Sequence, residues 1–287
     1  MDRNDFPVTQ GWILTGLIAT ASLSGLALDD LYRDNLLVRS GWWGNDLVTA
    51  LLAVPLLVGA LLFARGGSLR GALVVAGLQA YALYGYAFYL FGAAFNPLFL
   101  LYVGVVATAT VGLVGSLTSR HVRRTAPQVQ VRARDRRCGW VVLGIASVLG
   151  LFWIVIWVGS AVSGRVPAMV TATGHPTNVA GALDLWMVVT FGVWGGGWLV
   201  RGRGWGLLIS AVWAVKGAVY MVALSAATLS AWWAGATGSP VEVALWAPLG
   251  VACTVVAGIL LGSPELARPP AALDRSHDPA AVDAAPR

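Results

Sequence analysis

Eight apolar segments, each about twenty residues long, constrain this chain more than anything else in it, because about 20 apolar residues is what a helix needs to cross a hydrocarbon core. They fall near 11–28, 47–64, 71–92, 96–117, 139–162, 178–200, 205–230 and 241–262. In lipid every backbone N–H and C=O must be satisfied internally, so runs of this length form helices rather than barrel strands. Charged residues make up only 11% of the chain, against roughly 25% in a soluble domain. The expected fold class is an all-α membrane protein, an eight-helix transmembrane bundle.

Arginine sets the orientation. The loop 118–137 holds Arg120, Arg123, Arg124, Arg132, Arg134, Arg136 and Arg137, and two short turns carry Arg65 with Arg70 and Arg201 with Arg203. Eight spans put all three connections on one side, leaving Arg33, Arg39 and Arg165 on the other. Positive charge collects on the cytoplasmic side, which predicts both termini there, in the cytoplasmic (inner) membrane of a bacterium. The Arg-rich loop lacks interleaved aromatics, so anchoring against anionic lipid explains it better than nucleic-acid binding. The expected organisation is a short N-terminus at 1–10, a first four-helix unit at 11–117, the Arg-rich loop at 118–137, a second four-helix unit at 138–262, and a disordered tail at 263–287.

The halves share features that predict a parallel 4+4 internal repeat. Gly11-Trp12 opens the first segment and Gly139-Trp140 the fifth. In each half a tight Arg-Gly turn joins the second and third helices, Arg65-Gly66 to Gly71 and Arg201-Gly202 to Gly206. Parallel repeats occur in some transporters.

The chain has eighteen arginines and a single lysine, Lys216, in the middle of an apolar segment. An ammonium near the centre of a spanning helix costs at least ~2.5–3.5 kcal/mol, so it faces protein or water and seeks a partner. Asp184 is the carboxylate expected to meet it. At ~1.5 Å rise per residue, Asp184 lies roughly 24 Å and Lys216 roughly 16 Å from the cytoplasmic end, a gap two side chains cross only by reaching toward each other. Trp213 and Tyr220 share the Lys216 face, and Gln79 adds a mid-membrane amide that needs partners. Asp184, Lys216, Gln79, Tyr220 and Trp213 form the expected midplane polar site. If the two charges pair, Lys216→Met destabilises by stranding Asp184, and removing both does less harm. Asp29, Asp30, Asp34, Asp46 and Glu242 are expected at the outer surface as solvated loop ends.

Several chemistries find no support. The two cysteines, Cys138 and Cys253, form no CxxC, and His121, His175 and His277 have no ligand spacing within a span, so neither a metal nor another cofactor is expected. HExxH and GxSxG are absent. A retinal Schiff base on Lys216 fits poorly, since Val212 stands four residues before it and an eighth span follows. Most of the fourteen tryptophans sit near span ends, as interfacial anchors do.

The stretch YAFYLFGAAFNPLFLLYV (Tyr86–Val103), with DLYRDN at Asp30–Asn35, HPTNVAGALDL at His175–Leu185 and RGRGWG at Arg201–Gly206, resembles a family of bacterial integral membrane proteins of unknown function over most of residues 10–262. The resemblance implies no substrate or reaction. What the residues suggest is translocation of a small solute or ion through the midplane site, with the lipid bilayer as surroundings. The alternative is a non-catalytic sensor or accessory subunit, with an unidentified partner subunit, in which an Asp–Lys pair is structural.

Overall fold

The computed structural model describes residues 8–267, and its elements are helical throughout. Helix α1 runs Val8–Ala27, α2 Leu36–Arg65, α3 Leu69–Gly92 and α4 Phe99–Thr118. A short α5 (Arg120–Thr125) leads through one 3-10 turn to α6 (Ala133–Ser163). A short α7 (Ala168–Thr173) precedes α8 (Val179–Val200), α9 (Gly204–Trp233) and α10 (Val243–Leu261).

Among the described residues seven helices are long and apolar enough to cross a membrane: α2, α3, α4, α6, α8, α9 and α10. This is one fewer than expected. The first apolar segment, α1, is a helix of 20 residues, but Gln10 and its threonines and serines dilute its apolar content. Its hydroxyls are turned back on its own carbonyls, as in Thr15 Oγ1 to Gly11 O at 2.8 Å and Ser22 Oγ to Ile18 O at 2.8 Å.

Helix starts follow local capping chemistry. Asn35 Oδ1 accepts from Val38 N at 3.0 Å, Ser68 Oγ from Gly71 N at 3.2 Å, and Asn178 Oδ1 from Gly181 N at 2.9 Å, each satisfying an N–H that the first turn leaves unpaired. The Asn35 cap corrects the expected start of the second span. The helix begins at Leu36, eleven residues before 47, because Arg39, Asn45 and Asp46 read as loop in sequence yet lie on the first turns of α2.

Both halves close the turn between their second and third helices in the same way. Gly67 and Gly202 adopt φ of +85° and +75°, and the next residue's N–H reaches back five residues, Ser68 N to Phe63 O at 3.2 Å and Arg203 N to Trp198 O at 2.9 Å. Gly71 and Gly206 then lie against the backbone at Ala64 and Leu199, where a Cβ would collide. Each half also carries a π-helical segment in its second helix, Thr49–Ala53 in α2 and Asp184–Val189 in α8.

Helices α3 and α9 are the most buried spans. They pack on each other, and α9 also packs along α2, α8 and α10. At the α2–α9 crossing Gly44 lies against the backbone of Ala226 and Ala227. Glycines let α8 approach α6 closely, with Gly196 against the backbone of Gly139 and Leu143.

The arginine-bearing connections gather at one end. Arg70 Nη2 donates to Ser263 O at 3.3 Å, Arg132 pairs with Glu265 at 3.6 Å, and the Gly202 turn lies beside the Arg136 guanidinium. At the other end Ala94 N donates to Asp34 Oδ1 at 2.9 Å and Asn35 Nδ2 to Ala172 O at 2.9 Å. Pro264–Ala267 form a 3-10 turn against the Arg-rich segment, so the tail expected to be disordered from 263 starts ordered. Its remainder, 268–287, lies outside the described residues, as do residues 1–7 of the expected N-terminal segment.

Candidate functional site at Lys216

Lys216 sits midway along α9, only 6% exposed. Its Nζ rests 3.7 Å from the ring centroid of Tyr84 on α3 and 4.2 Å from that of Tyr220, one turn further along α9. The two rings meet edge to face, centroids 4.6 Å apart. A desolvated ammonium on an aromatic face is stabilised by ~2 kcal/mol or more. Among the described residues it makes no hydrogen bond and no ion pair within 4.0 Å.

Asp184 is not in direct contact with that ammonium. It stands where α8 passes into its π-helical segment and accepts from Tyr84 Oη at 2.8 Å and Trp153 Nε1 at 2.9 Å. Tyr84 therefore stands between the two charges, ring under the lysine and hydroxyl on the carboxylate. The different heights of Asp184 and Lys216 leave room for a side chain from a third helix, and an aromatic alcohol serves both. Neither Tyr84 nor Trp153 breaks the apolar pattern of its helix, so the sequence alone gives no sign of either role. A tyrosine one helix away from an isolated lysine carries no spacing signal.

Trp213 is near Lys216 but faces α8. Its Nε1 donates to Val188 O at 2.8 Å, a carbonyl within the π-helical segment, whose ladder the extra residue disturbs. Gly192 leaves space for the indole. Gln79 belongs elsewhere. It is fully buried against α4, accepting from Ser116 Oγ at 2.8 Å over Gly112, with its Nε2 unpaired. The structure thus brings together Asp184, Lys216 and Tyr220, sets Trp213 at their edge, and separates Gln79 from them.

Two cavities meet at this cluster. A chamber of about 750 Å³ lies between α4 and α8 and reaches Lys216; its wall is mainly Trp186, Phe191, Trp194, Trp198 and Trp205. A second cavity, about 390 Å³, opens at the other end of the bundle and reaches Tyr220 past Asn45, Thr173, His175 and Glu242. Lys216 lines one and Tyr220 the other.

A second buried carboxylate went unrecognised in sequence. Asp46, expected at the outer surface, is 1% exposed. Tyr32 Oη donates to its Oδ2, and Tyr89 Oη donates to Oδ1 at 2.9 Å. Asn45 Nδ2 donates to Tyr89 Oη at 3.1 Å, and one turn on Thr49 and Tyr81 share a 2.8 Å hydrogen bond. Two tyrosines of α3 thus serve two carboxylates, Tyr84 for Asp184 and Tyr89 for Asp46.

His175, in the loop before α8, stacks edge to face on Phe88 at 5.7 Å with Nε2 unpaired. Burial lowers its pKa below the ordinary 6.5, while nearby Asp34 pulls it up. The unfolded chain therefore binds this proton at a higher pH than the folded one. The resulting stability is full above about pH 6.5 and declines as pH falls toward the lowered value. The melting temperature is expected to drop across that range, and His175→Gln should flatten the slope. An unchanged slope would exclude His175 as its source.

Comparison of the chain with protein-family models, with curated proteins and with solved structures found no match. The integral-membrane assignment rests on the apolar helices themselves.

Proposed function

We propose that this protein binds and translocates a small solute or ion through the centre of the bundle, with Lys216 as the binding group. One observation carries this reading. The ammonium belongs to a buried side chain and has no hydrogen-bond partner among the described residues, between cavities that approach the cluster from opposite ends of the bundle. Ionisable groups inside a bundle tend to line pathways. The rings of Tyr84 and Tyr220 close the gap, and a movement of Tyr220 connects the two cavities. Asp184, held by Tyr84 and Trp153, compensates the charge when the site is empty. Gln79 has no place in the path, since it faces α4.

The same reading includes eight spans, a parallel 4+4 repeat, and residence in a bacterial cytoplasmic membrane with the arginine-bearing end and both termini inside. The matched turns at Gly67 and Gly202 and the π-helical segments of α2 and α8 favour duplication. A second reading, a sensor or accessory subunit with a structural core, is favoured by the close edge-to-face packing of the two tyrosines.

Proteoliposome flux separates the two. Under the transport reading, uptake of a permeant solute falls at least roughly tenfold in Lys216→Met, a loss of about 1.4 kcal/mol in transition-state binding. Absence of flux for every solute tested, with wild-type behaviour of Lys216→Met in cells, favours the sensor or subunit.

A further inference from the structure

We infer that the chamber beside Lys216 is a binding site for a long-chain fatty acid entering sideways from the bilayer, its carboxylate meeting the ammonium and its chain lying along the tryptophan wall. This rests on Lys216 being a binding group, and it names the ligand class.

The chamber is open where lipid would be. Val114, Trp186, Phe191 and Trp194 on its rim are exposed by 56%, 58%, 41% and 47%, and α4 and α8 are held apart across it. Its volume of about 750 Å³ lies within the ~300–1,000 Å³ usual for small-molecule sites. From Lys216 the chamber runs to Trp205 in the first turn of α9, about 16 Å along the helix axis.

The wall decides which amphiphile fits. Both threonine hydroxyls are committed to their own helix, Thr110 Oγ1 to Val106 O at 2.8 Å and Thr118 Oγ1 to Val114 O at 2.7 Å. Trp213 Nε1 is committed to Val188 O. Lys216 and the rim indoles are the donors that remain. A phospholipid head would bring phosphate, ester and glycerol oxygens into a wall unable to satisfy them. A carboxylate brings two oxygens, within the capacity of an ammonium's three donors, and the ion pair supplies an acceptor that Lys216 lacks among the described residues. Held there, the acid's head is at mid-bilayer, where an acid crossing between leaflets must pass.

The test uses the tryptophans as reporters. The full-length protein is placed in nanodiscs of unbrominated phosphatidylcholine and titrated with dibrominated stearic acid, whose bromines quench indole emission on contact. Saturable quenching is expected, with affinity at least roughly tenfold weaker in Lys216→Met, and no saturation with the methyl ester. Val114→Phe, which narrows the mouth and leaves Lys216 intact, should weaken the saturable phase as well, and it keeps the test decisive should Lys216→Met fail to fold. Quenching that merely follows mole fraction, or is equal for acid and ester, overturns the assignment. So does saturation by a dibrominated phosphatidylglycerol with the same dependence on Lys216. Saturable acid binding without faster acid flux would leave this site standing and remove the transport reading. Lys216-dependent flux of a polar solute without acid binding would do the reverse.

Discussion

Lys216→Met is expected to raise the melting temperature of the purified protein while abolishing its transport. Methionine matches the lysine stem in length and packs well against rings. What disappears is the ammonium of a buried side chain that has no hydrogen-bond acceptor among the described residues and rests on the faces of Tyr84 and Tyr220. Removing it recovers part of the ~2.5–3.5 kcal/mol insertion cost and forfeits about 2 kcal/mol of cation–π attraction. The net gain is on the order of 1 kcal/mol, a stability cost accepted for a working site.

A direct ion pair predicts the opposite sign, because truncating one partner strands the other. Asp184 is not stranded here, since Tyr84 and Trp153 still donate to it. Asp184→Leu is the damaging change, leaving a phenol and an indole without an acceptor at roughly 1–3 kcal/mol each. In double-mutant cycles Lys216 should couple more strongly to Tyr84 than to Asp184. Thermal denaturation in detergent decides the matter, and a clearly lowered melting temperature for Lys216→Met would restore the direct pair.

Residues that break the apolar pattern alone were legible in the sequence. Lys216 and Asp184 stood out because their neighbours are apolar, and both lie at the cluster where the cavities meet. Their relation was not legible, because the side chain between them comes from α3, and periodicity within one helix says nothing about what a third helix inserts. Seven of the eight expected spans were readable from length and hydropathy to within a few residues, except where polar groups are buried inside the bundle, and α1 is a helix that falls short of the apolar content of a span. Asp46 shows why. Beside Asn45, and close to Arg39 and two tryptophans, it has the composition of a loop end, and only tertiary burial makes it part of a span. The π-helical segments had no local signature at all. The one in α8 becomes visible through its partner, where Trp213 takes the carbonyl of Val188.

Asp46→Ala is expected to cost much of the stability of its end of the bundle. The substitution removes an acceptor from two buried phenols at once, Tyr32 on the loop after α1 and Tyr89 on α3, of which Tyr89 keeps the Trp42 carbonyl at 3.2 Å. The orphaned Tyr32 hydroxyl costs roughly 1–3 kcal/mol, and Tyr89 is left with its longer bond to Trp42 O. The damage extends beyond those two bonds, because Tyr89 also receives Asn45 and stacks on Tyr86 at 5.3 Å and Trp42 at 4.2 Å. Loss of the carboxylate therefore loosens α1, α2 and α3 where they meet. Asp46→Asn should cost much less, since its carbonyl oxygen still accepts one phenol and its amide can donate to the other, which turns acceptor. With Tyr89→Phe in the background, Asp46→Ala should do less harm than in the wild type, by about the value of one bond. Chemical denaturation of the four variants in detergent measures these differences. Equal stability of Asp46→Ala and wild type would mean that the phenols find other acceptors, and would remove Asp46 as the organising group of that end of the bundle.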